Sequence, residues 1–140
     1  MLRQIAAVFL GVLSAGLVTS VGEKLSHLLF PPPASIDFNN LDQMKAFYQS
    51  IPNESFILLI GVWALSSFAG GLVAAVISVQ SKRKVAMIVG GIQLLFAAIN
   101  FSYLPHPMWV VVLSLSLYVP MAFLGAAVIE KKQSGITDFK

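Results

Sequence analysis

The chain has 140 residues, of which 57% are hydrophobic and only 11% are charged. A soluble globular domain carries about 25% charged residues, so this composition excludes an ordinary water-soluble fold and indicates an integral membrane protein. There is no cysteine, which excludes disulfides, thiolate metal sites, cysteine nucleophiles and iron–sulfur clusters.

Four apolar segments have the length that a bilayer requires, about 20 residues each. A lone span must satisfy its backbone hydrogen bonds internally, so each segment is expected to be an α-helix. The predicted fold is an all-α integral membrane protein, a four-transmembrane-helix bundle forming a single membrane domain over residues 1–140. The predicted spans cover residues 2–30, 55–80, 85–104 and 108–130.

The first segment begins like a secretory signal, because Arg3 precedes an apolar run and the small residues "VTS" follow. Its apolar character nevertheless continues past "VTS" to Phe30. We therefore expect a retained span.

The distribution of Lys and Arg predicts that both termini are cytoplasmic, since cytoplasmic loops of membrane proteins are enriched in these residues. In that orientation Lys24 and Lys45 are the basic residues on the outside, and the net charge of +3 reflects sidedness rather than a nucleic-acid surface. The predicted location is the bacterial inner membrane. The connecting segments are an outer loop at 31–54, an inner basic turn at 81–84 and a flexible cytoplasmic tail at 131–140. The basic residues on the predicted inner side are Arg3, Lys82, Arg83, Lys84, Lys131, Lys132 and Lys140.

The outer loop is predicted to contain a short amphipathic helix. Its three prolines at 31–33 favour an extended polyproline conformation. Beyond them, Asn40 can cap a helix, Asp42 suits its first turn and Pro52 follows its end. This helix either lies on the membrane or covers the bundle as a lid, with a packed connecting loop as the simpler alternative. Its apolar face would comprise Leu41, Met44, Phe47 and Tyr48.

Polar residues inside the spans are predicted to lie mainly in the outer half of the membrane. A rise of about 1.5 Å per residue puts Glu23 about 30 Å from Arg3, at the outer edge of the hydrocarbon. The same ruler puts Gln93 near the midplane and Asn100 in the outer leaflet. Gln93, Ala97 and Asn100 share one helical face, which is expected to point into the bundle.

Two interpretations of these polar residues remain open. In one, they form hydrogen bonds between helices, worth about 0.6 to 2 kcal/mol each. In the other, they line a ligand pocket that opens towards the outside. The candidate pocket residues are Glu23, His27, Trp63, Asn100 and His106.

Small and polar residues are also predicted at helix–helix contacts, because small side chains let membrane helices approach closely. Together they favour a compact bundle, or one that packs against partner subunits. These candidate packing residues are Gly16, Ser20, Ser67, Gly71, Gln93 and Gly125.

A metal site is a further hypothesis. Glu23 and His27 lie one helical turn apart, and His106 could complete a ligand set of two histidines and one glutamate, which zinc accepts. The simpler alternative is that these side chains bind water, lipid headgroups or Lys24. The sequence predicts no other cofactor, and it predicts no enzyme, because it has no nucleophile motif, phosphate loop or dinucleotide fingerprint.

Four motifs in order, "GEKLSHLLFPPPASID", "ALSSFAGGLVAA", "SKRK" and "LPHPMW", span most of the chain. In these features the chain resembles an uncharacterised family of small bacterial four-span inner-membrane proteins. The resemblance implies the fold and the location, and it implies no catalytic residue. The leading functional hypothesis is a non-enzymatic structural or accessory component that packs with itself or with larger membrane subunits. The alternative is a protein that binds or transports a small ligand, lipid or metal ion.

Overall fold

The structure, a computed structural model, describes residues 1–31, 36, 37, 39–104 and 106–137, with side chains as far as residue 133. In this part of the chain there are five α-helices and no strand. They are α1 (Leu2–Leu29), α2 (Leu41–Ser50), α3 (Asn53–Ile77), α4 (Lys82–Tyr103) and α5 (Met108–Thr137). All except α2 are long and apolar enough to cross a membrane. The predicted four-span fold is therefore confirmed.

The short helix in the first long loop is confirmed as well. The side chain of Asn40 accepts hydrogen bonds from the backbone N–H groups of Asp42 and Gln43, which caps α2. No residue of α2 is fully buried. Of the predicted polyproline segment, Pro31 is described, while residues 32 and 33 lie outside the described residues.

The last helix is longer than its predicted span. It continues through Pro120 and reaches Thr137, so that residues 131–137 of the predicted flexible tail are helical. Lys131 and Lys132 are good helix formers, and no proline follows to stop the helix. Residues 138–140 lie outside the described residues.

The four long helices run antiparallel in chain order and form a bundle with α3 and α4 across its short diagonal. The backbone of α3 packs against α1, α4 and α5, while the backbones of α1 and α5 do not approach each other in the described part of the chain. We call the end of the bundle that holds Arg3, Lys82 and Glu130 the basic end, and the end that holds α2 and His106 the loop end.

The tightest contacts are between α3 and α5, where backbone meets backbone. A Cβ atom added to Gly71 would collide with the carbonyl of Ala122, and one added to Gly125 would collide with the carbonyl of Phe68. Ser67 is fully buried beside them, and its hydroxyl donates to the carbonyl oxygen of Tyr118. The predicted packing residues Ser67, Gly71 and Gly125 therefore lie where two helices touch.

Candidate intramembrane cavity

A cavity of about 350 Å³ lies between α1 and α4, with α3 behind it. The two flanking helices touch towards the basic end, where Ala7 and Val89 belong to one apolar cluster and Gly11 packs against Val89. Further along, Gly16 has no atom within 4 Å of its Cβ position, so that the helices part there. The polar side chains that line the cavity are Thr19, Ser20, Glu23, Trp63, Ser66, Gln93, Asn100 and Tyr118.

The packing role expected of Gly16 and Ser20 is not found in the structure. Both line the cavity and both are exposed, because α4 does not contact α1 at these two residues. Small residues permit a close approach without enforcing one.

Glu23 is half-buried and faces the cavity from α1. Its Oε1 accepts a long hydrogen bond of 3.5 Å from Trp63 Nε1 on α3. No ion pair involves Glu23 within the described residues, and the salt bridge between Arg83 and Glu130 lies at the opposite end of the bundle. The carboxylate thus faces the cavity without a cationic partner from the described part of the protein.

The apolar surface of α1 extends past Glu23, which the sequence-based depth estimate placed at the outer edge of the hydrocarbon. Beyond it on α1, Leu25, Leu28 and Leu29 are 51%, 79% and 59% exposed, so the apolar surface continues for more than one helical turn. The depth estimate assumed an untilted helix that starts at the membrane boundary. A helix of 28 residues is about 42 Å long, which is longer than the hydrocarbon core is thick, and such a helix fits a bilayer by tilting.

Gln93 supplies an amide at the middle of α4, as its predicted depth implied. Both its Nε2 and its Oε1 are buried and have no hydrogen-bond partner within the described residues. The packing role expected of Gln93 would require a bond to another helix, and none of the described residues provides it. An unpaired buried amide costs about 1 to 3 kcal/mol, so Gln93 would gain a partner if its side chain turned towards a polar occupant of the cavity.

An aromatic cluster around His106 separates the cavity from the loop end. The His106 ring lies 4.7 Å from the ring of Tyr48 on α2 and 4.8 Å from that of Phe101 on α4. It is 6.0 Å from the ring of Phe56 and 6.3 Å from that of Trp63, both on α3. Since Trp63 and Phe101 also line the cavity, we call these five rings the aromatic roof.

Burial lowers the pKa of His106 below its ordinary value, although the hydrogen bond of its Nδ1 with the Leu104 carbonyl acts in the opposite direction. That bond, 2.9 Å long, requires Nδ1 to carry the proton, because a carbonyl oxygen can only accept. Burial, followed by the negative charge of Glu23, raises the pKa of the Tyr48 hydroxyl. The roof thus brings α2 within electrostatic reach of the cavity carboxylate.

His27 lies elsewhere. It is exposed and lines a second cavity of about 270 Å³, between the end of α1 and α2, together with Phe30, Phe47 and Ser55. Of the five residues predicted for one pocket, Glu23, Trp63 and Asn100 line the cavity between α1 and α4, His106 packs in the roof and His27 lies outside.

The structure does not bring the proposed metal ligands together. Among the described residues no three His, Asp or Glu side chains are placed to hold one metal ion. Glu23 faces the first cavity, His27 lines the second and His106 is enclosed by aromatic rings. Trp63 contacts both Glu23 and His106: its Nε1 donates to Glu23, and its ring lies 6.3 Å from the His106 ring.

Sequence reasoning did not identify Tyr118 or Phe101 as cavity residues. Tyr118 is 7% exposed and reaches the cavity from α5. The sequence could not show this, because an aromatic residue within a span can face lipid or pack inside the bundle. Phe101 directly follows Asn100. Because Asn100 was placed on the polar face of α4, its neighbour Phe101 could have been predicted to line the same cavity.

Comparison with models of protein families, with curated proteins and with solved structures found no match to this chain. The residues and their geometry are therefore the basis for assigning a function. They define a multi-pass membrane protein with a cavity between α1 and α4 whose wall carries both polar and apolar residues.

Proposed function

We propose that this chain is a small non-enzymatic protein of the bacterial inner membrane that binds a small ligand in the cavity between α1 and α4. Of the two functions that the sequence left open, ligand binding is the one that the cavity favours. The observation that carries the proposal is the pair of buried, unpartnered amide atoms of Gln93 in the wall of a cavity of about 350 Å³. A bundle built only for packing would fill such a space or pair such a group.

The chain provides its own reporter for binding. It contains two tryptophans, and Trp63 lines the cavity while Trp109 does not. In a Trp109→Phe background, the fluorescence of Trp63 in lipid nanodiscs should change saturably with at least one member of a panel of cationic, neutral and anionic amphiphiles.

Two glycines make matched variants for this experiment. Gly16 and Gly61 both have open space at the Cβ position, but only Gly16 lines the cavity. Gly16→Leu should fill the cavity and abolish the response, whereas Gly61→Leu should retain it. The proposal is overturned if no compound gives a saturable response that Gly16→Leu abolishes.

An accessory role is a second candidate, supported by the surface around Gly61. This glycine is exposed between Ile57 and Leu65, which are 63% and 57% exposed, and a small residue among large ones allows another helix to approach. Blue-native electrophoresis of mildly solubilised membranes should then show a species larger than the monomer, which Gly61→Leu returns to the monomer. Migration as a monomer alone contradicts this role.

The orientation that we propose places both termini in the cytoplasm. Seven of the nine Lys and Arg residues would then be inside, in accordance with the positive-inside tendency. The cavity would open in the outer half of the bilayer. Alkaline phosphatase fused within the loop between α1 and α2 should be active, and fused within residues 78–81 it should be inactive.

A further inference from the structure

We propose that the ligand of this cavity is a cationic amphiphile whose charged group pairs with Glu23 and whose apolar body lies against the aromatic wall. This inference rests on the proposed function and specifies the class of ligand. Three properties of the cavity support it, namely its charge, its wall and its entrance.

The charge of the cavity wall is negative. Glu23 is the one ionisable acid or base in the lining apart from the phenol of Tyr118. Its hydrogen bond to Trp63 Nε1 is 3.5 Å long, at the limit of what counts as a bond. Lys24 follows in the sequence but is exposed and makes no ion pair with Glu23 in the described structure. A carboxylate among apolar helices is costly unless a positive charge accompanies it, and a cationic ligand supplies that charge.

The wall around Glu23 is aromatic. Trp63, Phe96, Phe101 and Tyr118 all line the same cavity. Aromatic faces attract cations through the quadrupole of the ring, and cages of such rings bind quaternary ammonium groups. An acid that shares a cavity with four aromatic residues therefore matches a ligand that is both cationic and apolar.

Gln93 argues against a lipid tail as the occupant. Its amide atoms are buried and unpartnered within the described residues, and a hydrocarbon chain would leave them so. A turn of the Gln93 side chain into the cavity would let a ligand with a polar group, or one that carries water with it, satisfy them.

The entrance faces the bilayer. Gly16 and Ser20 on α1 and Phe96 and Asn100 on α4 line the cavity and are exposed, so the gap between the two helices opens sideways. At the loop end the aromatic roof covers the cavity, where the rings of Phe101 and Tyr48 lie 4.8 and 4.7 Å from His106. A ligand that enters from the lipid must partition into it, which requires an apolar body beside the charge.

The test compares two probes of nearly identical shape, benzyltrimethylammonium and neopentylbenzene, which differ in the positive charge. Both are titrated into the Trp109→Phe protein in nanodiscs of uncharged lipid, with the fluorescence of Trp63 as readout. We expect the cation to bind more tightly than the neutral probe, and Glu23→Gln to weaken the cation about tenfold or more while leaving the neutral probe unchanged.

The outcomes separate this inference from the proposed function. Equal affinities for the two probes in the unmodified cavity, both abolished by Gly16→Leu, would overturn cation selection and leave ligand binding intact. An unchanged affinity for the cation in Glu23→Gln would overturn the role of Glu23. The absence of a response sensitive to Gly16→Leu for the whole amphiphile panel would instead overturn the proposed function itself. The comparison of probes requires no change at Glu23, so it remains decisive if Glu23→Gln fails to fold.

Discussion

The two halves of the bundle differ in how completely they satisfy their polar groups. Towards the basic end, Arg3 Nε donates to the Ile77 carbonyl over 2.8 Å, and Lys82 Nζ donates to the carbonyls of Ala75 and Ser78 over 2.9 and 2.8 Å. From the middle of the bundle to the loop end, the side-chain atoms of Gln93, and the hydroxyls of Ser55 and Ser114, are buried without a partner within the described residues.

The packing differs in the same direction. In the basic half, close contacts between backbones hold the helices, as at Gly71 and Gly125. In the loop half, α1 and α4 separate around a cavity, and aromatic side chains join α3 to α4. Here α1 remains close to α3, where Gly22 packs against Val62. The comparison indicates that the basic half is the more tightly packed and better satisfied part of the bundle. Such a difference is consistent with the binding site proposed for the loop half, because residues kept for function often cost stability.

The largest effect is expected from Gly71→Leu, which breaks the packing of the basic half. The new side chain would collide with the Ala122 carbonyl. This group belongs to the backbone of α5, which cannot move aside as easily as the end of a flexible side chain. We expect a loss of about 3 kcal/mol or more, measured by unfolding in mixed micelles. The control is Gly91→Leu, where the Cβ position has no atom within 4 Å and the change should stay within about 0.5 kcal/mol. Equal losses would show that α3 and α5 are not held by this contact.

The next effect has the opposite sign and concerns the loop half. Gln93→Leu should stabilise the ligand-free protein by about 1 kcal/mol, because it removes an unpaired buried amide. The same variant should weaken binding of polar ligands in the Trp63 assay. As a control, Gln80→Leu changes an exposed amide in the turn before α4 and should leave binding unchanged. A loss of stability in Gln93→Leu would mean that the amide is paired in the membrane.

Most of the fold followed from the sequence, and less of the site did. The lengths of the four spans follow from the thickness of the bilayer. The start of α2 was predictable because Asn40 is a typical helix-capping residue. The polar face of Gln93 and Asn100 was also predictable from helical spacing. In contrast, Gly16 and Gly71 look alike in the sequence, yet Gly71 meets a backbone and Gly16 lines a cavity. That distinction depends on how far α1 and α4 diverge, which local residue patterns do not encode.

A smaller effect is expected from pH, through the aromatic roof. Because burial lowers the pKa of His106 in the folded protein, the folded state resists protonation more than the unfolded chain, whose histidines titrate near about 6.5. Stability should therefore be constant above that pH and decline as the pH falls through it. Thermal unfolding between pH 7.5 and 5.5 should show this decline. His106→Phe should remove it, whereas His27→Phe, which changes the exposed histidine outside the roof, should not. A decline that survives His106→Phe would have another source.

The smallest effect is expected at the ion pair of the basic end. Arg83 Nε lies 2.6 Å from Glu130 Oε2, but the two side chains are 52% and 33% exposed, and exposed pairs contribute about 0.2 to 1 kcal/mol. Arg83→Gln should cost about 0.5 kcal/mol more than Lys84→Gln, which removes the same charge from the neighbouring position. In about 1 M salt, where the Debye length is about 3 Å, the difference in stability between the two variants should become smaller. The part that remains should come from the packing of Arg83 over the Phe123 ring, whose centroid lies 5.0 Å from the guanidinium carbon. Equal costs for the two variants at low salt would contradict the pairing. The modest size of the expected effect is consistent with a basic half held by backbone contacts such as that of Gly71, with its charges making a minor contribution.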